Sequence, residues 1–287
     1  MNNKAKSHID FKQGISEQVQ RALQEDIGCG DVSAKLIPIE KNATASVICR
    51  ETAILCGQDW FNKSFELLDD STVINWQLQD GDPIEAGATL CHIEGNARSL
   101  LTAERTALNF LQSLSATATL ARAYADAIQG QDCQVLDTRK TIPGLRLAQK
   151  YAVLCGGASN HRIGLYDAVL IKENHIAAAG SIQLTVESAR QTSPDLMVEV
   201  EVETLSQLEE ALSAGADRVL LDNMDVHILQ KAVAINAGRA ELEASGGITL
   251  KNIKNIAKTG VNFISIGALT KDITAIDLSM RININES

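Results

Sequence analysis

The sequence predicts an α/β protein that combines a parallel barrel in its second half with a smaller domain of a different kind. From about residue 133 onward, short β-rich runs end in polar or glycine residues, and a helical segment follows each run. This alternation is typical of a parallel sheet. No Gly-x-Gly-x-x-Gly turn follows the first run, which favours a closed or nearly closed barrel over a dinucleotide-binding sheet.

Six strands are predicted in the barrel. In chain order they are "CQVLD" (133–137), "AVLIK" (168–172), "VEVEV" (198–202), "RVLLD" (218–222), "AELEAS" (240–245) and "FISIG" (263–267). Amphipathic helices lie between them. In "TLSQLEEALSAG" (204–215), Thr204 and Gln207 predict a capping box at the start of the helix, and Gly215 predicts its end. Six strands are fewer than the eight of a complete barrel, so we expect an irregular one.

The first 110 residues predict a separate sheet that the end of the chain completes. The segments 44–57 and 71–95 combine strand-like runs with hairpin turns, and a long helix at 99–128 leads to the barrel. The alternating "IDLSMRINI" (276–284) predicts a strand that returns to the first sheet. We therefore expect residues 1–115, joined by 273–287, to form one domain and residues 116–272 to form the barrel.

Composition excludes several classes of function. The net charge of −10 opposes binding to nucleic acid or to an anionic membrane, and aromatic residues are only 3% of the chain. No apolar run approaches the roughly 20 residues that span a bilayer, and the first residues contain no apolar signal region. The six cysteines show no Cys-x-x-Cys pair, which indicates reduced thiols and no structural metal site. We expect a cytoplasmic protein without nucleic-acid or membrane partners.

Cations are concentrated in one part of this acidic chain. The window 137–172 contains six Lys or Arg residues and two Asp residues, a local charge of +4. Arg139, Lys140 and Lys172 follow predicted strands, and barrel strand ends face the central cavity, so we expect them to bind a ligand with several negative charges. Arg146 and Lys150, four residues apart, instead predict a solvated helix face.

His161 and Arg162 follow in the glycine-rich segment "GGASNHRIG" (156–164). A single histidine is often structural, but the neighbouring Arg162 and the Lys172 strand favour ligand contact. Surrounded by cations, the ring would be neutral and could donate one hydrogen bond. Both interpretations remain open from the residues alone.

Carboxylates and glycines occupy the ends of the later strands. Glu199, Glu201 and Glu203 alternate along one strand and point to one side. Glu201 and Asp222 could hold a Mg²⁺-bound phosphate or stabilise a developing cation. A salt bridge from Glu201 to Lys140 or Lys172 is the alternative. In "EASGGI" (243–248) and "ISIGAL" (264–269), glycines precede helices, and backbone N–H groups there can bind phosphate.

Eight segments, taken in order, resemble the quinolinate phosphoribosyltransferase family. They are "EDIGCGDVS" (25–33), "ERTALNFLQSLSATAT" (104–119), "DTRKTIPGLRLAQKYAV" (137–153), "GGASNHRIGLYDAVLIKENH" (156–175), "VEVEVET" (198–204), "LLDNM" (220–224), "EASGGI" and "ISIGALT" (264–270). The resemblance implies an N-terminal α/β sandwich domain and an incomplete, seven-stranded α/β barrel. It also implies a homodimer in which Arg105 enters the active site of the partner.

The same resemblance implies the reaction and the site. The substrates would be quinolinate and phosphoribosyl pyrophosphate (PRPP) with Mg²⁺, and the products nicotinate mononucleotide, pyrophosphate and CO₂, a step of NAD biosynthesis. The residues it implies for quinolinate are Arg105, Thr138, Arg139, His161, Arg162 and Lys172. Those it implies for catalysis are Lys140, Glu201 and Asp222, with both carboxylates at the Mg²⁺, directly or through water. The phosphates of PRPP would meet Lys140, Ser245, Gly246, Gly247, Ile266, Gly267 and Ala268.

Three departures from the family pattern bear on affinity. Ala116-Thr117 replaces the usual Gly-Ile, Ala158 replaces a third glycine, and Lys271-Asp272 replaces His-Ser. Lys271 would either add charge at the phosphate end or simply begin an exposed helix.

Parts of the sequence are also compatible with three other functions. A paralogue associated with molybdenum transport would share the fold but lack part of the carboxylate-binding set. A Schiff-base aldolase would use Lys172 but leaves the arginines unexplained. The segment 78–95 resembles a biotinyl or lipoyl carrier hairpin, but it contains no lysine to modify.

Overall fold

The computed structural model describes residues 10–284. Residues 1–9 and 285–287, which belong to the predicted domain of residues 1–115 and 273–287, lie outside the described residues. The described residues form two compact units. The antiparallel unit comprises Asp10–Arg122, Thr141–Gly157 and the described residues from Thr270 onward, and the parallel unit comprises Ala123–Lys140 and Ala158–Leu269. The division at 115/116 and 272/273 that the sequence suggests stays a prediction.

The helices and strands are arranged differently in the two parts of the described chain: strands dominate the first part, and strand–helix units follow from residue 134 to residue 271. In order they are α1 (Ile15–Ile27), a 3₁₀ turn (Ala34–Leu36), β1 (Asn42–Cys49), β2 (Ala53–Ile54), α2 (Gln58–Glu66), β3 (Val73–Trp76), β4 (Pro83–Ile84), β5 (Thr89–Asn96), α3 (Ala97–Ala127), β6 (Gln134–Leu136), α4 (Arg146–Cys155), β7 (Val169–Ile171), α5 (Glu173–Ala179), α6 (Ile182–Thr192), β8 (Val198–Val202), α7 (Leu205–Ser213), β9 (Arg218–Asp222), α8 (Val226–Asn236), β10 (Glu241–Ser245), α9 (Ile253–Ala257), β11 (Phe263–Ser265), α10 (Ala268–Lys271) and β12 (Leu278–Ile284).

The antiparallel unit contains a four-stranded sheet in the order β12-β1-β5-β3, and β2 pairs with β4 beside it. The predicted returning strand is confirmed, because β12 pairs antiparallel with β1 over seven residues. Burial alternates along β1, where Ala43, Ala45, Val47 and Cys49 are buried. This period of two places one face of the sheet in a core that includes buried residues of α3.

The long predicted helix is also confirmed as α3, which has 31 residues. Ala116 and Thr117 are both buried in it, and the Thr117 hydroxyl donates to the Ser113 carbonyl (3.2 Å), which satisfies the hydroxyl within its own helix. Neither α3 nor any other helix between residues 10 and 284 combines the length and the apolar character needed to cross a membrane.

The parallel unit contains six strands in the order β6-β11-β10-β9-β8-β7, and every pair in this sheet is parallel. Consecutive helices from α5 to α9 pack side by side, as expected when each strand is followed by a helix on the same side. All six predicted strands are therefore confirmed. Because the strands are parallel, their carboxyl ends meet at one edge of the sheet.

The capping box of α7 is confirmed in detail. The Thr204 hydroxyl accepts the backbone N–H of Gln207 (3.2 Å), and the Gln207 side chain accepts the backbone N–H of Thr204 (3.2 Å). Gly215 follows the helix with φ +82°, a conformation that glycine adopts without strain.

The seventh strand that the resemblance implies is not confirmed. Ser159 alone pairs with the free side of β6, donating to Val135 (2.8 Å) and accepting from Asp137 (3.1 Å). The ladder cannot extend, because Gly157 has φ +85° on one side, and on the other the His161 N–H binds the Asp137 side chain (2.8 Å). The described sheet therefore has six strands and a single bridge.

The solvated helix face predicted for Arg146 and Lys150 is wrong. Both lie on α4, where Lys150 is fully buried and Arg146 is half-buried, with its Nε donating to the Thr141 hydroxyl (3.1 Å). A four-residue spacing places the two cations on one side of α4, but it does not determine whether that side faces solvent, and here it faces inward. Lys271 is the last residue of α10, so the interpretation that it begins a helix is wrong. It pairs with Asp272 (3.2 Å), and both side chains are about half exposed.

Candidate active site

The parallel unit gathers most of the predicted site residues at the carboxyl edge of its sheet. They lie at or just after the ends of all six strands: Thr138, Arg139 and Lys140 after β6, Lys172 after β7, Glu201 near the end of β8, Asp222 at the end of β9, Ser245 at the end of β10, and Ile266 and Gly267 after β11. Side chains from distant parts of the chain therefore share one edge, where enzymes of this architecture bind their ligands.

Arg139 and Arg162 form a cationic pair on this edge. Burial, followed by repulsion from Arg139, lowers the pKa of Arg162. Arg162 donates to the Ala168 carbonyl (3.3 Å), whereas the buried Nε of Arg139 has no hydrogen-bond partner among the described residues. A buried, unpaired guanidinium nitrogen is costly, and a bound carboxylate would satisfy it with two parallel hydrogen bonds.

Lys140 lies over the end of β11. A Cβ added to Gly267 would come within 3.0 Å of the Lys140 Cδ, 3.7 Å of the Thr138 hydroxyl and 3.8 Å of the Lys140 Nζ. The Thr138 hydroxyl accepts the backbone N–H of Lys140 (3.1 Å) and so closes this turn. Because residue 267 is a glycine, the Lys140 side chain can pass over its backbone. The Lys140 ammonium group therefore lies next to the backbone of a predicted phosphate-binding loop.

The turn after β10 is built against Asn223. Gly246 has φ +94°, and an added Cβ would lie 2.0 Å from the Asn223 Oδ1 and 3.0 Å from its backbone nitrogen. Asn223 donates its backbone N–H to the Ser245 carbonyl (2.9 Å) and its side-chain amide to Asp222 (2.8 Å). One residue thus ties the Asp222 carboxylate to the Ser245–Gly246 turn.

Lys172 and Glu201 form an ion pair across β7 and β8, which is the alternative that the sequence left open for Glu201. The carboxylate is about one fifth exposed and the ammonium about half exposed. The Lys172 side chain is therefore engaged by a carboxylate.

His161 lies away from solvent and between two glutamates, not among cations alone as expected. Its Nε2 is 2.9 Å from Glu199 and 3.3 Å from Glu243, and both carboxylates are fully buried. Burial opposes a charge on the ring, but the hydrogen bonds and charges of the two glutamates outweigh it and raise the pKa of His161 to about 9. The Nδ1 accepts the backbone N–H of Arg162 (2.8 Å), so a second proton on the ring would have to displace that bond.

Sequence reasoning missed several of these residues. Asp137 is fully buried and accepts the His161 backbone N–H (2.8 Å) and the Asn160 side-chain amide (2.7 Å). Glu243 received no role, although a glutamate inside the apolar run "ELEAS" was a signal that something buried compensates its charge. No sequence pattern pointed to Asn223. Its role is visible only in the structure, where its side chain occupies the space that a Cβ at position 246 would need.

Arg105 belongs to the antiparallel unit and is exposed on α3. Its predicted role as a quinolinate ligand in a partner subunit stays a prediction.

The chain matches two family models over most of its length. The quinolinate phosphoribosyl transferase N-terminal domain covers residues 31–115, and the C-terminal domain of the same family covers residues 117–281.

Individual relatives agree with these matches. The chain is 40% identical over 265 residues to the probable nicotinate-nucleotide pyrophosphorylase [carboxylating] of Bacillus subtilis, covering 92% of each chain. It is 40% identical over 286 residues to quinolinate phosphoribosyltransferase [decarboxylating] 1b of Nicotiana tabacum, covering 92% of this chain and 81% of that one. The structure of the nicotinate-nucleotide pyrophosphorylase from Francisella tularensis superposes with a TM-score of 0.93 at 47% identity, covering 98% of this chain and 100% of that one. The chain therefore belongs to the quinolinate phosphoribosyltransferase family, and it is a phosphoribosyltransferase.

Proposed function

We propose that this enzyme transfers the phosphoribosyl group of PRPP to the ring nitrogen of quinolinate and releases nicotinate mononucleotide, pyrophosphate and CO₂. The observation that carries this proposal is the arrangement at the carboxyl edge of the parallel sheet. Arg139, with its unpartnered Nε, stands close to Arg162, and Lys140 crosses the glycine at the end of β11. Two carboxylate receptors and a phosphate receptor thus occupy one edge, which suits a dicarboxylate and a phosphorylated sugar.

The quinolinate end is assigned to Thr138, Arg139, Arg162 and Lys172, and to His161 through the backbone of Arg162, because both nitrogens of the His161 ring are already engaged. Quinolinate carries adjacent carboxylates on a pyridine ring, and two guanidinium groups match them better than a single cation would. Lys172 is held at the next strand end by Glu201. The molybdenum-associated paralogue is disfavoured, because the carboxylate-binding set is complete in this chain.

The phosphate end is assigned to Lys140, with the turn Ser245–Gly247 and the start of α10 at Ile266, Gly267 and Ala268. The support is the geometry of the two glycine turns, which expose backbone N–H groups without side chains in front of them. Gly246 and Gly247 both have positive φ, +94° and +61°, and both are exposed.

Replacing Gly246 with alanine tests this assignment. The added Cβ would overlap the Asn223 side chain and require a backbone conformation that alanine rarely adopts, so the turn must open. We expect KM for PRPP to rise on the order of tenfold or more, with a loss of about 1–3 kcal/mol in the free energy of unfolding. Gly215→Ala is the matched control, since Gly215 has φ +82° but open space around it. Equal rises in KM for PRPP in both variants would refute the assignment.

The carboxylates of Glu201 and Asp222 fit a Mg²⁺ ion. They are partly exposed oxygen donors near the ends of adjacent strands, and Mg²⁺ is typically held by one or two carboxylates together with substrate phosphates. When bound with PRPP, the ion would stabilise the negative charge of the departing pyrophosphate. Asn223 orients Asp222 for this role (2.8 Å), and Lys172 orients Glu201.

A homodimer is part of the proposal, and one face of the antiparallel unit supports it. Arg98, Thr102 and Arg105 lie on the same side of α3 by their spacing. Arg98 and Thr102 bind the segment 31–37 through Ile37 and Asp31. Three apolar side chains in this segment or just after it are strongly exposed: Val32, Leu36 and Ile39. A partner subunit that covers these side chains would meet Arg105 on the same face.

The chemistry needs no covalent nucleophile. The ring nitrogen attacks the anomeric carbon of PRPP, and the bond to pyrophosphate breaks with its electron pair leaving on oxygen. The ring nitrogen becomes cationic, and its charge stabilises the electron pair that the breaking carbon–carboxylate bond leaves on the adjacent ring carbon as CO₂ departs. That carbon then uses the pair to take a proton. Arg139 and Arg162 hold the carboxylates so that the nitrogen faces the sugar. Carboxylates at the edge stabilise the developing positive charge on the ribose.

The test is to incubate the full chain with quinolinate, PRPP and Mg²⁺ and to follow nicotinate mononucleotide by mass spectrometry, with nicotinate as the competing acceptor. We expect product from quinolinate alone, with CO₂ released in equal amount. Failure to form product by a folded protein would reject the proposal and favour the paralogue, with another anionic ring as substrate.

The cytoplasmic location is supported by six free cysteines, as in a reducing compartment.

A further inference from the structure

Two fully buried glutamates lie beneath the candidate quinolinate site. Glu199 comes from β8 and Glu243 from β10, and both point at the Nε2 of His161 (2.9 and 3.3 Å). Both carboxylate oxygens of Glu199 and the Oε1 of Glu243 have no hydrogen-bond partner of good geometry among the described residues, so the approach of Glu199 to His161 is a close charge contact. A buried carboxylate is costly unless its charge is compensated, so the contact with His161 carries much of the compensation here.

Arg218 brings a positive charge to this cluster. Its guanidinium lies 3.5 Å from Glu243, stacks over the Phe263 ring at 3.9 Å and pairs with the exposed Glu241 (2.7 Å). Within residues 10–284, no arginine pairs with Glu199 in this way. Compensation of the Glu199 charge therefore depends on His161 more than compensation of the Glu243 charge does.

The opposite edge of the imidazole is tied to the arginine that follows it. His161 Nδ1 accepts the Arg162 backbone N–H (2.8 Å), and the His161 backbone N–H is held by Asp137 (2.8 Å). The ring is thus a rigid link from the sheet interior to the backbone of Arg162.

We propose that Glu199 and Glu243 are positioning residues for the quinolinate carboxylates, and that they act through His161 to fix the backbone from which Arg162 projects. This inference rests on the proposed function. It assigns a role to two residues that touch no substrate, and it places His161 as the link between them and the arginine pair.

A metal site is the other interpretation of this cluster, because His161, Glu199 and Glu243 bring ligand-type atoms within 4.8 Å of one another. The Nδ1 contact argues against it. Since Nδ1 accepts the Arg162 N–H, the ring proton is on Nε2, and an ion could bind there only by displacing that proton and leaving both ring nitrogens without one. The cluster therefore positions the ring and does not hold an ion.

The kinetic test compares a conservative and a disruptive change. Glu199→Gln keeps an oxygen that can accept from Nε2, whereas Glu199→Leu keeps the volume and removes the acceptor. We expect Glu199→Leu to raise KM for quinolinate by tenfold to a hundredfold, with KM for PRPP within about twofold, and Glu199→Gln to restore most of the loss. Glu243→Gln should have a smaller effect, and Glu241→Gln, on the same strand but exposed, should have none.

A double-mutant cycle separates action through His161 from a general packing role. In a His161→Asn background, Glu199→Leu should add less than about a twofold rise in KM for quinolinate. Independent, multiplicative effects would overturn the inference, as would parallel rises in KM for both substrates.

A spectroscopic measurement keeps this test separate from the proposed function. The imidazole N–H proton of His161, assigned by its loss in His161→Asn, should exchange slowly in the wild-type protein, persist in Glu199→Gln and disappear in Glu199→Leu. If wild type makes no product from quinolinate but this pattern holds, the proposed function fails and the link stands as a feature of the site. If product forms and the signal is unchanged in Glu199→Leu, only the inference fails.

Discussion

Arg139→Ala is expected to abolish quinolinate binding and to leave PRPP binding intact. The buried Nε of Arg139 has no partner among the described residues, and repulsion between Arg139 and Arg162 is already present without ligand. A dicarboxylate relieves both costs, so removal of Arg139 deletes one bidentate contact and leaves one carboxylate unpaired in a half-buried site. The loss of affinity for quinolinate should be about a hundredfold or more.

Calorimetric titration of each substrate in the absence of the other measures this division of labour. Arg139→Lys is the informative companion, because it keeps the charge but loses the planar fork, and it should recover only part of the affinity. Arg190→Ala is a matched control on α6, where the guanidinium pairs with Asp217 (2.9 Å) away from the strand ends. Equal losses for quinolinate and PRPP in Arg139→Ala would contradict the separate assignments of Arg139 and Lys140.

Much of the fold follows from local patterns. The six barrel strands were predicted because each apolar run is short and ends in a polar residue or glycine, and both features reflect a strand buried on two faces. The capping box of α7 was predictable because Thr204 and Gln207 satisfy each other within one turn. The pairing of β12 with the first sheet was predictable because apolar and polar residues alternate in the segment 276–284.

What the sequence did not predict depends on contacts between distant residues. Lys150 is buried because of what packs around α4, and a four-residue spacing carries no information about that. The missing seventh strand is decided by Asp137, whose side chain takes the His161 N–H that a ladder would need. The pairing of His161 with Glu199 and Glu243 joins a loop to two strands, so no single segment of the sequence contains it.

Mixing two inactive variants is expected to restore activity if Arg105 acts in the partner subunit. Arg105→Ala should lose activity because the site lacks one quinolinate ligand, and Lys140→Ala because the phosphates lose their ammonium partner. The two changes lie in different compact units, Arg105 exposed on α3 and Lys140 after β6. In a mixed dimer, the subunit that keeps Lys140 receives an intact Arg105 from its partner, and this one site is complete.

The size of the recovery distinguishes a shared site from one contained in a single chain. Random exchange of equal amounts makes half of the dimers mixed, and each mixed dimer has one complete site of two, so about a quarter of wild-type activity should return. The measurement is product formation after subunit exchange, which differently tagged subunits verify by co-purification. Each variant exchanged with itself is the control and should stay inactive. No recovery after verified exchange would mean that Arg105 serves its own chain or no site at all, because a contained site would leave both subunits of every dimer defective.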